Sequence, residues 1–254
     1  MAIKKVIYLN KKEGETPLEA LENFRNKNKK YKNLKMTYAG RLDPMASGLL
    51  VILVGDKIKE KEKYLKLDKE YLFDVLFGFS TDTYDILGKI THSNIQTNIR
   101  MTDLEKKIKD HQKYFSGKFI QKYPAYSSKT VKGKPLFSYA REGIEVEIPT
   151  REVLIKSLKF LKIKKINNKS LLENIEKRIK KVKGDFRQKE ILKLWRRRLS
   201  MENSNFFIAS LKVNCSSGTY VRVVANNLGE KVGIPTLAFS IKRTKIGNWS
   251  KILK

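Results

Sequence analysis

The stretch that most constrains this chain is Tyr38 to Gly55, a turn-rich loop that runs straight into an unbroken apolar segment. Leu49-Leu50-Val51-Ile52-Leu53-Val54 carries no polar residue, and its length and β-branched content fit a strand buried on both faces. In the loop before it, Gly40 and Gly48 permit backbone angles closed to other residues. Pro44 fixes its own φ and steers Asp43 away from helix. One carboxylate, Asp43, is therefore held on a stiff loop at the mouth of a core strand, where a scaffold positions a reacting group well. Asp-Pro is also ordinary turn chemistry, and on these residues alone both readings stand.

Charge narrows the partner. Lys and Arg number 55 against 26 Asp and Glu, a formal +29 over 254 residues. That imbalance costs self-repulsion in the folded state, and a polyanion relieves it. Nucleic acid is the expected partner, with lysines that merely solvate a surface as the plainer account. Apolar residues at 41% and aromatics at 10% indicate a globular chain. The one cysteine, Cys215, rules out an internal disulfide and fits a reducing, cytoplasmic setting. A signal peptide and a membrane-spanning segment are not expected, nor is a metal site, with only His92 and His111 beside that cysteine.

Along the chain, Lys4–Asn10 reads as a short strand, and Thr16-Pro17-Leu18-Glu19 as a capping box opening a helix through Ala20, Leu21 and Phe24. Lys57–Lys66 reads as a charged helical link and Asp68–Gly78 as a strand. A second capped helix is expected from Thr102-Asp103-Leu104-Glu105, with Leu104, Ile108 and Phe115 on one side. Lys129, Lys132 and Lys134 string cations along one flexible loop, suited to phosphates. Glu152–Lys165 reads as an edge or surface strand. Residues 167–205 read as a helical hairpin: Leu172, Ile175, Ile179 and Val182 recur at helical spacing, Gly184-Asp185 breaks the pattern, and Ile191, Trp195 and Leu199 resume it. The hairpin is strongly basic, at Lys177, Arg178, Lys180, Lys181 and Lys183 and again at Arg196, Arg197 and Arg198. It is either an extra RNA-gripping arm or a solvated hairpin whose apolar seam packs on the body. Phe206–Cys215 is a strand. Thr219 is a plausible N-cap and Gly233 a plausible stop for the helix between them.

Four ordered segments resemble TruB-type tRNA pseudouridine synthases. They are Gly40-Arg41-Leu42-Asp43-Pro44-Met45-Ala46-Ser47-Gly48; Lys69-Glu70-Tyr71 followed by Gly78 and Thr81-Asp82-Thr83-Tyr84-Asp85-Ile86-Leu87-Gly88; Gln121 to Gly143 with its Tyr126-Ser127-Ser128-Lys129 core; and Cys215-Ser216-Ser217-Gly218-Thr219-Tyr220-Val221-Arg222 to Gly229. Phe239 to Gly247 resembles the family's closing strand. The resemblance covers nearly the whole chain except the basic hairpin, which stands where compact members have a short turn and so reads as an insertion.

The resemblance implies an α+β pseudouridine synthase fold: a mixed, mostly antiparallel central sheet flanked by helices, in a single catalytic domain over residues 1–254, without the C-terminal RNA-binding PUA domain common in the family. It implies conversion of the T-loop uridine at tRNA position 55 to pseudouridine, with Asp43 as nucleophile and Arg222 paired to it. Tyr71, Tyr220 and Ile241 would enclose the flipped base, and Tyr38, Asp85, Lys129 and Arg243 complete the expected substrate-binding set. Tyr38 replaces the histidine usual in the family, Arg41 a small residue, Tyr123 a proline and Phe137 a tyrosine. No cofactor is implied, because the reaction leaves every oxidation state unchanged, and tRNA is the only partner expected of a monomeric enzyme. A non-catalytic tRNA-binding or folding factor, and the catalytic subunit of an RNA-guided pseudouridine synthase, are the alternatives.

Overall fold

A computed structural model describes residues 3–94, 99–200 and 204–250. Among them, nine strands form one sheet. Its path runs Val6–Lys11, Ala46–Val54, Thr236–Ile246, Lys69–Phe77, Asn205–Cys215, Thr150–Asn167 and Gly117–Lys122. Met36–Ala39 adds to the Ala46–Val54 strand and Trp249–Ser250 to Thr236–Ile246. Pairing is antiparallel except where Ala46–Gly48 runs parallel to Ile241–Arg243. The architecture is the expected α+β one, a mixed sheet flanked by helices.

The apolar run behaves as its composition demands. Every residue from Leu49 to Val54 is buried. It pairs with Val6–Lys11 on one side and Met36–Ala39 on the other, which leaves no face or edge to water. Gly48 opens this stretch at φ +105, and a Cβ there would fall 2.2 Å from the Arg243 carbonyl oxygen, so the close parallel contact requires glycine. The Lys69–Phe77 strand alternates: Tyr71, Phe73 and Val75 are buried, with half-buried residues between them.

The two faces of the sheet are covered differently. Helices Met101–Gln112 and Val221–Val232 bury Leu104, Ile108, Val224 and Leu228 against Phe73, Val75, Leu211 and Val213. On the opposite face lies the helical hairpin, Asn168–Ile179 and Gln188–Ser200. Asn167 caps the first arm by accepting the Ser170 amide at 2.8 Å. Leu171, Ile175, Ile179, Ile191, Trp195 and Leu199 pack on Leu76, Phe79, Phe206, Ile208 and Leu237. The apolar seam therefore forms half of the core rather than a detachable arm. Residues 201–203 of the predicted hairpin lie outside the described residues.

Several local expectations need correction. The helix expected to start at Thr102 begins at Met101 with Arg100 as its N-cap, and the Arg100 guanidinium clasps Asp103 at 2.8 and 3.1 Å in place of a threonine cap. Tyr220, not Thr219, is the N-cap of Val221–Val232, because the Thr219 hydroxyl is turned to donate to the Ser216 carbonyl. Gly233 does end that helix, in the left-handed region at φ +78. Thr150–Asn167 is an edge only over part of its length: residues 150–155 pair with Gly117–Lys122 and residues 155–167 with Asn205–Cys215. The Thr16–Glu19 capping box forms as expected, with both reciprocal hydrogen bonds.

Trp195 is fully buried, makes an edge contact with Phe79 at 5.0 Å and donates its indole N–H to the Ile86 carbonyl at 3.3 Å. Trp195→Ala should lower stability by about 3–5 kcal/mol, the usual loss for an aromatic cavity in a core. Urea denaturation monitored by circular dichroism checks this, and a loss below about 1 kcal/mol would mean the hairpin is only surface.

Candidate active site

Asp43 sits on the loop before the core strand, and its carbonyl accepts the Ala46 amide at 3.0 Å, closing the turn. Its Oδ2 receives the Arg222 Nε–H at 2.8 Å. The Arg222 side chain is 3% exposed and the Asp43 side chain 35%. The carboxylate thus opens to solvent while its cation is sealed behind it. Arg222 also donates to the Thr83 and Tyr126 carbonyls, and the Asp85 carboxylate lies 3.8 Å from its Nε. Burial works against the Arg222 charge, yet Asp43 and Asp85 outweigh it and hold the guanidinium above its ordinary pKa. For Asp85 burial dominates: it pushes the carboxyl up, Arg222 opposes and Asp43 adds to the rise. Asp85 Oδ1 accepts from the Thr83 hydroxyl at 2.7 Å and the Leu87 amide at 2.9 Å.

Beside Asp43 lies a cavity of about 480 Å³ whose walls include Tyr71, Tyr220, Ile241, Lys69, Arg151 and Arg243. A second, of about 520 Å³, lies along the same loop and is bordered by Tyr38, Tyr126, Phe137, Phe186, Arg141 and Arg187. Asp43, Arg41, Leu42, Ser127 and Ser128 border both, so the carboxylate stands on the ridge between them. The first has the shape and lining for a flat aromatic ring: two tyrosines and an aliphatic side chain near a carboxylate. In it a Cβ at Gly218 would fall 1.8 Å from Arg151 Nη1, so glycine is needed to seat that guanidinium.

The expected substrate-binding residues divide into four groups. Tyr71, Tyr220 and Ile241 line the first cavity together with Asp43. Tyr38 lines the second, and its hydroxyl accepts from Arg41 at 3.3 Å. Asp85 and Arg243 are buried, at 6% and 2% exposed, with Arg243 bordering the first cavity and Asp85 the second. Arg243 donates to the Leu49 carbonyl at 2.7 Å and the Gly40 carbonyl at 3.0 Å, fastening both ends of the Asp43 loop. Lys129 is exposed but lies over the Tyr123 ring, 5.5 Å from its centroid, and Tyr123 meets Tyr220 edge-on at 5.6 Å. The segment expected to be one flexible lysine loop is a two-stranded turn, Thr130–Val131 against Lys134–Pro135, and Lys134 is paired with Glu142.

Two buried lysines escape a reading of the sequence. Lys11 is fully buried, and its ammonium donates to the Lys12, Glu15 and Pro44 carbonyls, gripping the loop beside Asp43. Lys69, 7% exposed, donates to the Leu65 and Leu67 carbonyls under the first cavity. Burial pulls each down to about 8, against nearby carboxylates for Lys11 and with help from Arg243 for Lys69. Lys11 signals itself only by its place at the end of a strand, whereas Lys69 belongs to the Lys69-Glu70-Tyr71 segment, which does not announce its burial.

Comparison with known proteins shows the family. The model of the TruB family pseudouridylate synthase N-terminal domain matches residues 27–186. The chain is 31% identical over 242 residues to tRNA pseudouridine synthase B of Caldicellulosiruptor saccharolyticus, covering 95% of this chain and 67% of that protein. It is also 31% identical to the same enzyme of Clostridium tetani over 216 residues, covering 85% and 59%. For that of Caldanaerobacter subterraneus subsp. tengcongensis the figures are 31% over 249 residues, covering 98% and 71%. The chain therefore spans roughly three fifths to seven tenths of the length of these relatives. Its fold is similar to that in a solved Cbf5-Nop10-Gar1 complex, with a TM-score of 0.56 at 18% identity over 97% of this chain and 50% of the other.

Lys11 and Lys69 carry a pH signature. Their folded values near 8 lie below the ordinary 10.5, so between those limits the unfolded chain binds more protons and stability rises with pH. Lys11→Met removes one of the two contributions. Chemical denaturation across that window should give the variant a shallower rise than the parent, and equal slopes would count against a depressed Lys11.

Proposed function

Because this chain belongs to the TruB family of pseudouridylate synthases, we propose that it converts the T-loop uridine at tRNA position 55 to pseudouridine, with Asp43 as the nucleophile. The observation that carries this reading is the Asp43–Arg222 pair: a partly open carboxylate, held by a buried guanidinium, at the edge of a cavity lined by Tyr71, Tyr220 and Ile241. The relatives named as tRNA pseudouridine synthase B supply the substrate class.

The reaction breaks the uridine C1′–N1 bond, forms C1′–C5 and moves a proton from C5 to N1, so product and substrate are isomers. Asp43 attacks the nucleoside, and Arg222 holds the carboxylate in place through its Nε–H. Tyr71 and Tyr220 stack on the flipped ring while Ile241 excludes water, which holds the detached base for reattachment. Tyr38 lies in the neighbouring cavity, with its ring and hydroxyl available to the flipped strand. The formal +29 of the chain favours the phosphate backbone and offsets the few kcal/mol of unstacking. The chain acts on tRNA as a monomer, without a guide RNA or protein partner.

Pseudouridine mapping on an unmodified tRNA transcript incubated with the purified chain tests this. Product at the T-loop uridine is expected, and Asp43→Asn should abolish it, a loss of about a thousandfold or more. Product at another uridine would overturn the assigned position. Binding without product in parent and variant alike would point to a non-catalytic RNA-binding factor or to a subunit awaiting its partner.

A further inference from the structure

The basic hairpin reaches the Arg222 cradle through Asp82 and Tyr126, and the Asp43 loop through Glu13 and Gly14. At its turn, Arg187 adopts φ +63, a strained angle for a residue with a Cβ. Its guanidinium clasps Asp82 at 2.7 and 3.2 Å, donates to the Tyr126 hydroxyl at 2.6 Å and lies over the Tyr126 ring, 4.2 Å from its centroid. Asp82 precedes Thr83, and the carbonyls of Thr83 and Tyr126 are the two that receive Arg222. Arg187 thus ties together the two loops that hold the cationic half of the pair. Two further contacts reinforce that side: Trp195 donates to the Ile86 carbonyl, and Glu190 pairs with Lys89 at 2.6 Å.

The first arm reaches the anionic half. Arg178, 8% exposed, clasps Glu13 at 2.9 and 2.7 Å and donates to the Phe239 carbonyl at 2.7 Å. Lys181 adds a 3.2 Å contact to Glu13, and its backbone packs so tightly on Gly14 that a Cβ there would fall 2.9 Å from the Lys181 carbonyl oxygen. Gly14 in turn donates its amide to the Pro44 carbonyl at 2.9 Å, next to Asp43.

We infer that the hairpin is a brace for the Asp43–Arg222 pair, with Arg187 and Arg178 as positioning residues, and that these two cations serve the site rather than grip RNA. The inference takes the pair to be the catalytic one, as proposed above. Two arginine clamps, Arg187 linked to Arg222 through Tyr126 and Arg178 linked to Asp43 through Glu13, Gly14 and Pro44, are of the kind that fixes a reacting group to within a fraction of an ångström. An RNA-gripping role would need these guanidiniums free at the surface, and they are spent inside.

The test measures single-turnover pseudouridine formation and tRNA affinity separately. Arg187→Ala should lower the rate at saturating tRNA by about 10- to 100-fold while the dissociation constant stays within about twofold. Arg187→Lys should not restore the rate, because an ammonium cannot form the fork to Asp82 and stack on Tyr126. Tyr126→Phe, which deletes one hydroxyl and leaves the backbone, should give a smaller loss of the same kind and guards against misfolding. Charge reversal at the exposed Lys177 and Arg197 should leave the saturating rate unaltered. A raised dissociation constant with an unaltered saturating rate in Arg187→Ala would overturn the brace and restore the gripping arm. No change in either quantity would overturn it too. A second readout is independent of turnover: in arginine labelled with nitrogen-15, the Arg222 Nε–H should exchange faster in Arg187→Ala. Unaltered exchange in the folded variant would overturn the brace even if the parent formed no pseudouridine, an outcome that by itself counts only against the proposed reaction.

Discussion

A buried guanidinium must find an acceptor for each of its hydrogens, and much of this fold around the site answers that demand. Arg222 is 3% exposed, and the Asp43 carboxylate, the Thr83 carbonyl and the Tyr126 carbonyl converge on it from three segments far apart in the chain. Removing any one acceptor would leave a buried charge underserved, which costs far more than an exposed ion pair contributes. Each acceptor is therefore anchored in its turn: Asp43 by a loop that Arg243 and Lys11 grip, Thr83 by the buried Asp85, and Tyr126 by Arg187. Asp43 alone keeps an open side, at 35% side-chain exposure.

The large positive charge is distributed unevenly in purpose. Lys11, Lys69, Arg178, Arg222 and Arg243 are buried and turned toward carbonyls and carboxylates. These cations organise the loops around the site, and their charges are committed within the protein. The exposed lysines remain to shape the outward field, the part of the charge that a polyanion meets. A count of basic residues cannot separate the two populations, because a buried arginine and a solvated one are the same letter.

Much of the fold was legible because its signals are local. The Leu49–Val54 run, the alternation from Tyr71 to Val75, the Thr16–Glu19 capping box and the spacing of Ile175, Ile179, Ile191 and Trp195 each declare their structure within a few residues. What stayed hidden depends on distant partners. Nothing near Arg178 announces Glu13, 165 positions away, and nothing near Arg187 announces Asp82, 105 away. The cap expected at Thr219 failed for a similar reason on a smaller scale, since its hydroxyl had the Ser216 carbonyl as a competing partner. Asp85 and Arg243 were read as substrate contacts from their motif positions. Their burial, set by the sheet and the hairpin packed around them, was not legible, though Arg243 borders the first cavity and Asp85 the second.

The parallel contact of Ala46–Gly48 with Ile241–Arg243 has a consequence for biosynthesis. The Asp43 loop leaves the ribosome early, yet the strand that fastens it arrives nearly 200 residues later, as the separation of 194 between Leu49 and Arg243 records. Until then residues 46–48, at the foot of the apolar strand, lack their parallel neighbour, and an unpaired strand edge invites association between nascent chains. With contacts this remote, the search for the native topology is slow. The Asp43 loop is thus fastened only as the last large strand closes, so a truncated or stalled chain would carry the carboxylate without the Arg243 side chain that holds its loop.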